Sequence, residues 1–346
     1  MTASPAYTEK LPQVNQSYDY YMVDILKFIC CFLVVTIHID PFVNHSFALA
    51  PMINFYIQNY LCRIAVPFFF MASGFFLFRK LDITNIDTRI VKDYCFKLIR
   101  LLGLWSVLLF TGTTIHLWYL SATVVAIALI CLLFRLHWKP WHLFLLAFLL
   151  YIPGLLGDSY YGLLLPLQKN PLIEIVTDTY FSIFTYTRNG VFMGFLFVLL
   201  GAGFSFAKIR IKAPVAAIGF VISMLCLLAE VVLLKRYELS VDYNMYLFLV
   251  PAVFFLFAFA LQFRRPAAKQ VTRIQTLRTV GVLVWMLHLL VEKFVFVGMQ
   301  GVYKLCSLDL GIYHYAISLG LSFALALLLV KLSAKEKFKW LRLLYS

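Results

Sequence analysis

Charge is what this sequence has least of. Asp, Glu, Lys and Arg make up only 13% of its 346 residues, and Asp and Glu together number 16. Soluble domains carry about 25% charged and roughly 45–50% apolar residues. Here 63% are hydrophobic, and a soluble fold of this size could not cover that much apolar surface with so few charges. The seven cysteines are an odd number with no C-x-x-C spacing. Cys30, Cys31, Cys62, Cys131 and Cys226 sit inside apolar stretches, so neither a disulfide framework nor a metal site is expected. The signatures of soluble enzymes are missing: no P-loop, no HExxH, no serine nucleophile elbow and no dinucleotide-binding glycine pattern. The residues through Tyr20 contain no apolar core, so no cleavable signal peptide is expected. The basic clusters lack interleaved aromatics on a soluble face, so nucleic acid is not an expected partner.

What the chain does have is apolar length. Its mean hydropathy is +0.88 and it holds 34 Phe. A membrane-spanning helix needs about 20 mainly apolar residues. Ten such runs predict an all-α, polytopic membrane protein, with spans at 22–43, 55–78, 98–115, 117–134, 140–157, 188–207, 213–235, 245–263, 278–298 and 311–332. The lipid bilayer is thus the first partner, and a multi-pass protein of the plasma membrane is expected. The 158–187 connection, with Pro166, Pro171 and several Tyr, suits interfacial helices.

The net charge of +14 is distributed unevenly. Counting the loops at 79–97 (with Arg100 at its edge), 135–139, 208–212 and 264–278, together with both termini, 22 basic residues lie on one side. The alternate loops hold only six: Lys169, Arg188, Lys235, Arg236, Lys293 and Lys304. Basic loops stay cytoplasmic, so both ends of the chain should lie inside. The expected organisation is a cytoplasmic segment at 1–21, a transmembrane domain at 22–332 and a basic cytoplasmic tail at 333–346, too short to fold alone.

Ionisable groups inside a span cost roughly 2.5–3.5 kcal/mol at its centre, so each needs a reason. The first span carries Asp24, Lys27 and, eleven positions on, His38. Eleven residues fall within about 20° of a whole number of turns and rise roughly 16 Å. Lys27 and His38 therefore share a face, with Asp24 one turn before Lys27. The second span holds Arg63, which cannot lose its charge, then Pro67 and Ser73-Gly74, small residues that allow close helix packing. At the same level come His116 and Trp118 opening the fourth span, and Arg188-Asn189 opening the sixth. Glu230 lies in the seventh span, and His288 and Glu292 are one turn apart in the ninth. Bland alternatives exist: Lys27 snorkelling to headgroups, a His satisfied by another helix, Arg63 as a headgroup anchor, and edge aromatics as interfacial anchors. His45, His137, His142 and His314 read as loop or interface residues, and Gly201-Ala-Gly203 as helix packing.

Lys27-x10-His38, followed by Arg63-Ile-Ala-Val-Pro-Phe-Phe-Phe-Met-Ala-Ser-Gly, resembles the start of the acyltransferase family 3 membrane proteins. Within that family, the chain is similar to the membrane half of the serine racemases of glycopeptide-resistant bacteria. The likeness extends through His116-Leu-Trp-Tyr-Leu, Thr187-Arg188-Asn189-Gly190, Glu230, Asn244-Met245-Tyr246 and His288, over roughly residues 20–332. There are departures. Lys27 replaces the commoner Arg, Asp242-Tyr-Asn-Met-Tyr246 replaces a His-Asp-Ser-Met-Tyr run, and no Pro follows His288. Little sequence follows the last span, so no racemase domain is expected.

The resemblance implies transfer of an acyl group, acetyl in the simplest case, from cytosolic acyl-CoA to a hydroxyl of an extracytoplasmic acceptor such as a saccharide. It implies His38 as general base and Arg63 as the group that stabilises the oxyanion or orients the acceptor, the catalytic pair. Lys27 would meet the donor, while Arg188, Asn189, His116, Trp118, Glu230 and His288 would bind the acceptor. No metal is implied, and direct transfer and an acyl-His intermediate stay equally open. The rival expectation is an amino-acid transport or delivery module, in which Arg63 and Arg188 hold a carboxylate and Glu230 or Glu292 answers an amino group. The charge asymmetry itself makes a prediction. Single cysteines placed in 158–187 of a cysteine-free chain should label from outside the cell, and those in 79–97 or the tail should be protected. The reverse pattern would refute the orientation.

Overall fold

The computed structural model describes residues 20–42, 48–109, 114–264, 268–305 and 311–346. Lys10, His45, Arg265 and nearly all of the 1–21 segment lie outside the described residues. Every regular element among the described residues is helical. The main helices are α1 (Tyr21–His38), α2 (Ala50–Phe78), α3 (Thr88–Leu108), α4 (Trp118–Arg135), α5 (Pro140–Leu156), α6 (Pro171–Ile183), α7 (Gly190–Phe206), α8 (Ala213–Arg236), α9 (Leu249–Ala260), α10 (Ala268–Leu305) and α11 (Gly311–Ser333).

Among the described residues, six helices are long and apolar enough to cross a membrane, or up to seven if the bent pair Pro140–Leu156 and Tyr161–Lys169 is one span. The other expected spans are helical but differ for physical reasons. Helix α3 starts ten residues before the predicted span, because the Asp87 side chain caps it by accepting from the Arg89 amide at 2.8 Å. Its first turns thereby carry Arg89, Lys92, Asp93, Lys97 and Arg100. Helix α9 has 12 residues, about 18 Å of rise, well short of a 30 Å hydrocarbon core. Helix α10 runs 38 residues, absorbing most of the expected 264–278 loop, whose Ala, Lys, Gln, Arg and Leu favour helix. The expected tail is also held. Leu344 O accepts from Trp105 Nε1 at 2.9 Å, and Tyr345 OH pairs with Ser333 Oγ at 2.7 Å, so the short 3₁₀ segment Glu336–Leu344 folds back on α3 and α11. His314 is no loop residue. It is buried in the first turns of α11, facing Glu292 of α10 at 3.8 Å.

The core is built on α7, which is apolar on every side and buried from Phe195 through Gly203. It packs along α2 at a distance only glycine permits. A Cβ on Gly74 would stand 2.0 Å from Val198 O, and one on Gly201 would stand 1.9 Å from Met71 O. The two backbones therefore touch reciprocally, with small residues giving close approach in place of a hydrophobic force that lipid does not supply. Peripheral helices bury one stripe each. On α8 that stripe is Ala216, Ser223, Leu227, Glu230, Val231 and Leu234, while outward residues such as Ile218 and Leu225 are exposed as a lipid-facing surface requires.

Local departures from α geometry cluster at one end of this pair. In α2, a π-turn at Ile57–Leu61 and a 3₁₀ turn at Cys62–Ile64 precede regular helix from Ala65. Pro67 supplies the cause: it lacks an N–H, and its ring crowds the carbonyl four residues back, that of Arg63. Helix α7 also begins with a π-turn, Gly190–Gly194. The close contact is directly testable. Gly74→Ala or Gly201→Ala should force α2 and α7 apart and cost about 1–3 kcal/mol or more, read as a fall in the thermal midpoint of purified protein. A wild-type midpoint for both variants would contradict the contact.

Candidate functional site

A cavity of about 200 Å³ opens at the end of the bundle opposite the basic loops. Six stretches of chain build it. The end of α1 brings Val34, Ile37 and His38; α2 brings Arg63 from its 3₁₀ turn and Val66 and Phe69 from the regular helix that follows. The start of α4 adds His116, Trp118 and Tyr119, the residue pair before α7 adds Arg188, and α10 adds Trp285. Asp242 and Asn244 close it from the connection between α8 and α9. His38 stands here because α1 stops at it: Ile39 is already extended, and Pro41 disfavours helix at the residue before it.

Arg63 is held by two amides. Its terminal nitrogens donate to Asn59 Oδ1 at 2.7 Å and to Asn244 Oδ1, while the buried Nε has no protein partner. Arg188 pairs with Asp242, and its guanidinium lies 3.8 Å from the centre of the Tyr186 ring. Three imidazoles gather here, His38 and His116 lining the cavity and His288 behind them. The ring of His288 lies 5.4 Å from that of His38 and 5.0 Å from that of His116, which in turn meets Trp285 at 5.2 Å. His288 Nδ1 is 2.7 Å from Trp285 O, and its buried Nε2 lacks a partner.

The walls at Asp242 and Asn244 belong to a non-helical stretch that is buried at Asn244, Met245 and Tyr246. Non-helical backbone within an apolar bundle is tolerated only when the protein itself satisfies its polar groups. Asp158 does this for the first half, accepting from the amides of Asn244 (2.7 Å) and Met245 (3.0 Å) and from Asn244 Nδ2 (3.1 Å). Glu230 does it for the second half, accepting from the amides of Leu247 (2.7 Å) and Phe248 (2.9 Å) and from Tyr160 OH (2.6 Å). The Leu247 and Phe248 amides lie directly before α9, where negative charge is also favoured by the helix dipole.

The predicted site residues thus separate into groups. His38, Arg63, His116, Trp118 and Arg188 share the cavity, with His288 against its histidines. Asn189 and Glu230 do not line it. Asn189 caps α7, its Oδ1 accepting from the Val191 and Phe192 amides at 2.9 and 3.1 Å, and Glu230 is committed to α9. Lys27 is at the other end of α1, 3.2 Å from the buried Asp24 carboxylate and 5.7 Å from the Phe76 ring centre. Sequence reasoning missed Asn59, Asp158, Asp242 as the partner of Arg188, and Trp285. A polar Asp just beyond an apolar span was the only signal for Asp158. Among the described residues no group of three His, Cys, Asp or Glu side chains could hold a metal ion.

The profile of the acyltransferase domain family matches residues 20–331. An amino-acid racemase of Enterococcus faecalis is 31% identical over 274 residues, which is 72% of this chain and 37% of that protein. A second amino-acid racemase of that organism is 29% identical over 298 residues, 78% of this chain and 40% of the relative. A serine/alanine racemase of Enterococcus gallinarum is 32% identical over 267 residues, 69% and 37% respectively. The chain therefore spans well under half the length of these relatives. No solved structure matches it significantly. With a family match over nearly its whole length, on a bundle of membrane-type helices, the chain belongs to the acyltransferase domain family of multi-pass membrane proteins.

Proposed function

We propose that this protein is a ten-span plasma-membrane O-acyltransferase, with both termini inside, that carries an acyl group from cytosolic acyl-CoA to a hydroxyl of an extracytoplasmic saccharide. The observation that carries the reading is the meeting of His38 and Arg63 at one cavity, together with His116, Trp118 and Arg188. The acceptor hydroxyl attacks the thioester carbonyl while His38 takes its proton. The new C–O bond forms as the carbonyl oxygen gathers negative charge, which Arg63 stabilises; its unpartnered Nε–H is the donor left for that oxygen. The C–S bond then breaks, the imidazolium returns the proton to the departing thiolate, and the products are an ester and free CoA. Lys27, on the same helix and about 16 Å toward the basic end, serves the donor. Arg188, His116 and Trp118 orient the acceptor. His288 backs the histidine pair, Asn189 contributes by capping α7 directly after Arg188, and Glu230 by holding the Leu247 and Phe248 amides just before α9.

A second reading has its own support. The three relatives are named as racemases of amino acids, and the Arg188–Asp242 pair beside Arg63 offers both a cation for a carboxylate and a carboxylate for an ammonium group. On that reading the cavity receives an amino acid such as serine for transport or delivery.

One variant separates the two. His38→Ala should lower acyl transfer by about 10²–10⁴-fold in protein that remains folded, and the wild-type rate should fall on the acid side as His38 gains its proton. Arg63→Lys should also impair transfer, since an ammonium cannot bridge Asn59 and Asn244 as the guanidinium fork does. Wild-type transfer by His38→Ala would refute the mechanism. Serine uptake without any acyl transfer in the wild type would establish the second reading in its place.

A further inference from the structure

His288 sits on α10 and is wholly buried, at 0% exposure. Its Nδ1 lies 2.7 Å from the carbonyl oxygen of Trp285, one turn earlier. A carbonyl only accepts, so Nδ1 carries the ring proton, and in the neutral imidazole Nε2 is left as a bare acceptor. That nitrogen is buried and has no hydrogen-bond partner among the described residues. Buried polar atoms are almost always paired, because an acceptor left alone in a packed interior is costly.

His38 has the converse need. Neither of its ring nitrogens makes a hydrogen bond among the described residues, yet a general base works best when a third group holds its ring and its tautomer. The carboxylates that could do so are engaged elsewhere: Asp40 accepts from Gln58, and Asp242 pairs with Arg188. The ring centres of His38 and His288 are 5.4 Å apart, with 39° between the planes. At that spacing a turn of the His38 ring brings two nitrogens within hydrogen-bond range, about 2.7–3.2 Å. His116 is as near to His288, at 5.0 Å, but meets it edge to face at 63° and is itself packed against Trp285. His116 is also buried, whereas the ring of His38 is only partly so and faces the cavity. The flatter approach and the room to turn single out His38.

We propose that His288 is the positioning residue of the base: its Nε2 accepts the N–H of His38 and fixes the tautomer whose other nitrogen faces the acceptor hydroxyl. The proposal rests on the acyl-transfer reading and deepens it. The hydroxyl proton moves to the free nitrogen of His38 and leaves from that same nitrogen to the departing thiolate. The N–H held by His288 stays in place throughout, and His288 itself gains and loses no proton. A neutral imidazole does this without adding a further charge to the bundle, where a buried carboxylate is expensive.

The test uses the whole chain, labelled with ring-¹⁵N histidine and held in nanodiscs, with signals assigned from single-histidine variants. The wild type should show one neutral tautomer of His38, with its N–H coupled through a hydrogen bond to Nε2 of His288. In His288→Leu, His38 should populate both tautomers. His288→Gln places an acceptor oxygen near the former Nε2 and should restore the single tautomer. Acetyl transfer is measured alongside. His288→Leu should lower kcat by roughly tenfold or more, up to the 10²–10⁴-fold of losing the base, with KM for both substrates near wild type, and His288→Gln should recover much of the rate. An unchanged His38 tautomer in His288→Leu overturns the proposal, as does a wild-type coupling that joins His288 to His116 instead. The wild-type spectrum alone decides the hydrogen bond, so a His288→Leu chain that does not fold leaves the test intact. A coupled His38–His288 pair in a chain that transfers nothing would sink the transferase reading and leave the hydrogen bond standing.

Discussion

The candidate site depends on one constraint: backbone that leaves the helix inside an apolar bundle must find its hydrogen bonds in the protein. Asp158 and Glu230 meet it for the segment from Asp242 to Phe248. With their carboxylates in place, α9 can start deep in the bundle and the preceding residues can point polar groups at the cavity. Without them, the buried amides of Asn244 and Met245 would lose their partners at about 1–3 kcal/mol each, and the part-buried amides of Leu247 and Phe248 would lose theirs as well. Asn244 shows how closely support and site are joined. Its amide and side-chain nitrogen rest on Asp158, while its side-chain oxygen receives Arg63.

A second layer of rigidity comes from the glycine contact between α2 and α7. Those two helices carry Arg63 and, just ahead of α7, Arg188. Because Gly74 and Gly201 bring the helices backbone to backbone, the main chain that carries Arg63 and the main chain that leads from Arg188 into α7 are held at a fixed spacing, and side-chain partners then place each guanidinium. The irregular turns in α2 and at the start of α7 fall where this rigid pair meets the cavity, so distortion is confined to the end that needs unusual side-chain directions. The opposite end holds the basic residues. The molecule thus presents cations to one face and a histidine-lined cavity to the other, a polarity suited to a donor and an acceptor on different sides.

Much of the helical order was legible from apolar length alone, because a helix that faces lipid cannot hide its composition. Relations within one helix were equally legible. Asp24 and Lys27 are one turn apart and form the ion pair that their spacing implies, and His38 lies on the far end of the same helix. Helix ends were less so. Asp87 capping extended α3, and an unbroken run of helix formers extended α10. Least legible were contacts between distant stretches. Arg63 meets Asn244 across 181 positions, and no local period encodes that. For the same reason Glu230 and Asn189 read as binding residues when their oxygens are in fact taken up by backbone amides. Both are polar groups in apolar surroundings, and composition alone does not distinguish a group that serves a ligand from one that serves the fold.

The central claim, transfer from a donor on the basic side to an acceptor on the cavity side, is most directly tested by sidedness. Purified protein would be reconstituted in one orientation into vesicles, with radiolabelled acetyl-CoA confined to the compartment facing the basic loops and a cell-envelope saccharide fraction confined to the other. The account predicts label on the saccharide across a membrane that remains sealed to acetyl-CoA. Label appearing only when donor and acceptor share a compartment, or no label at all while serine crosses, would contradict it.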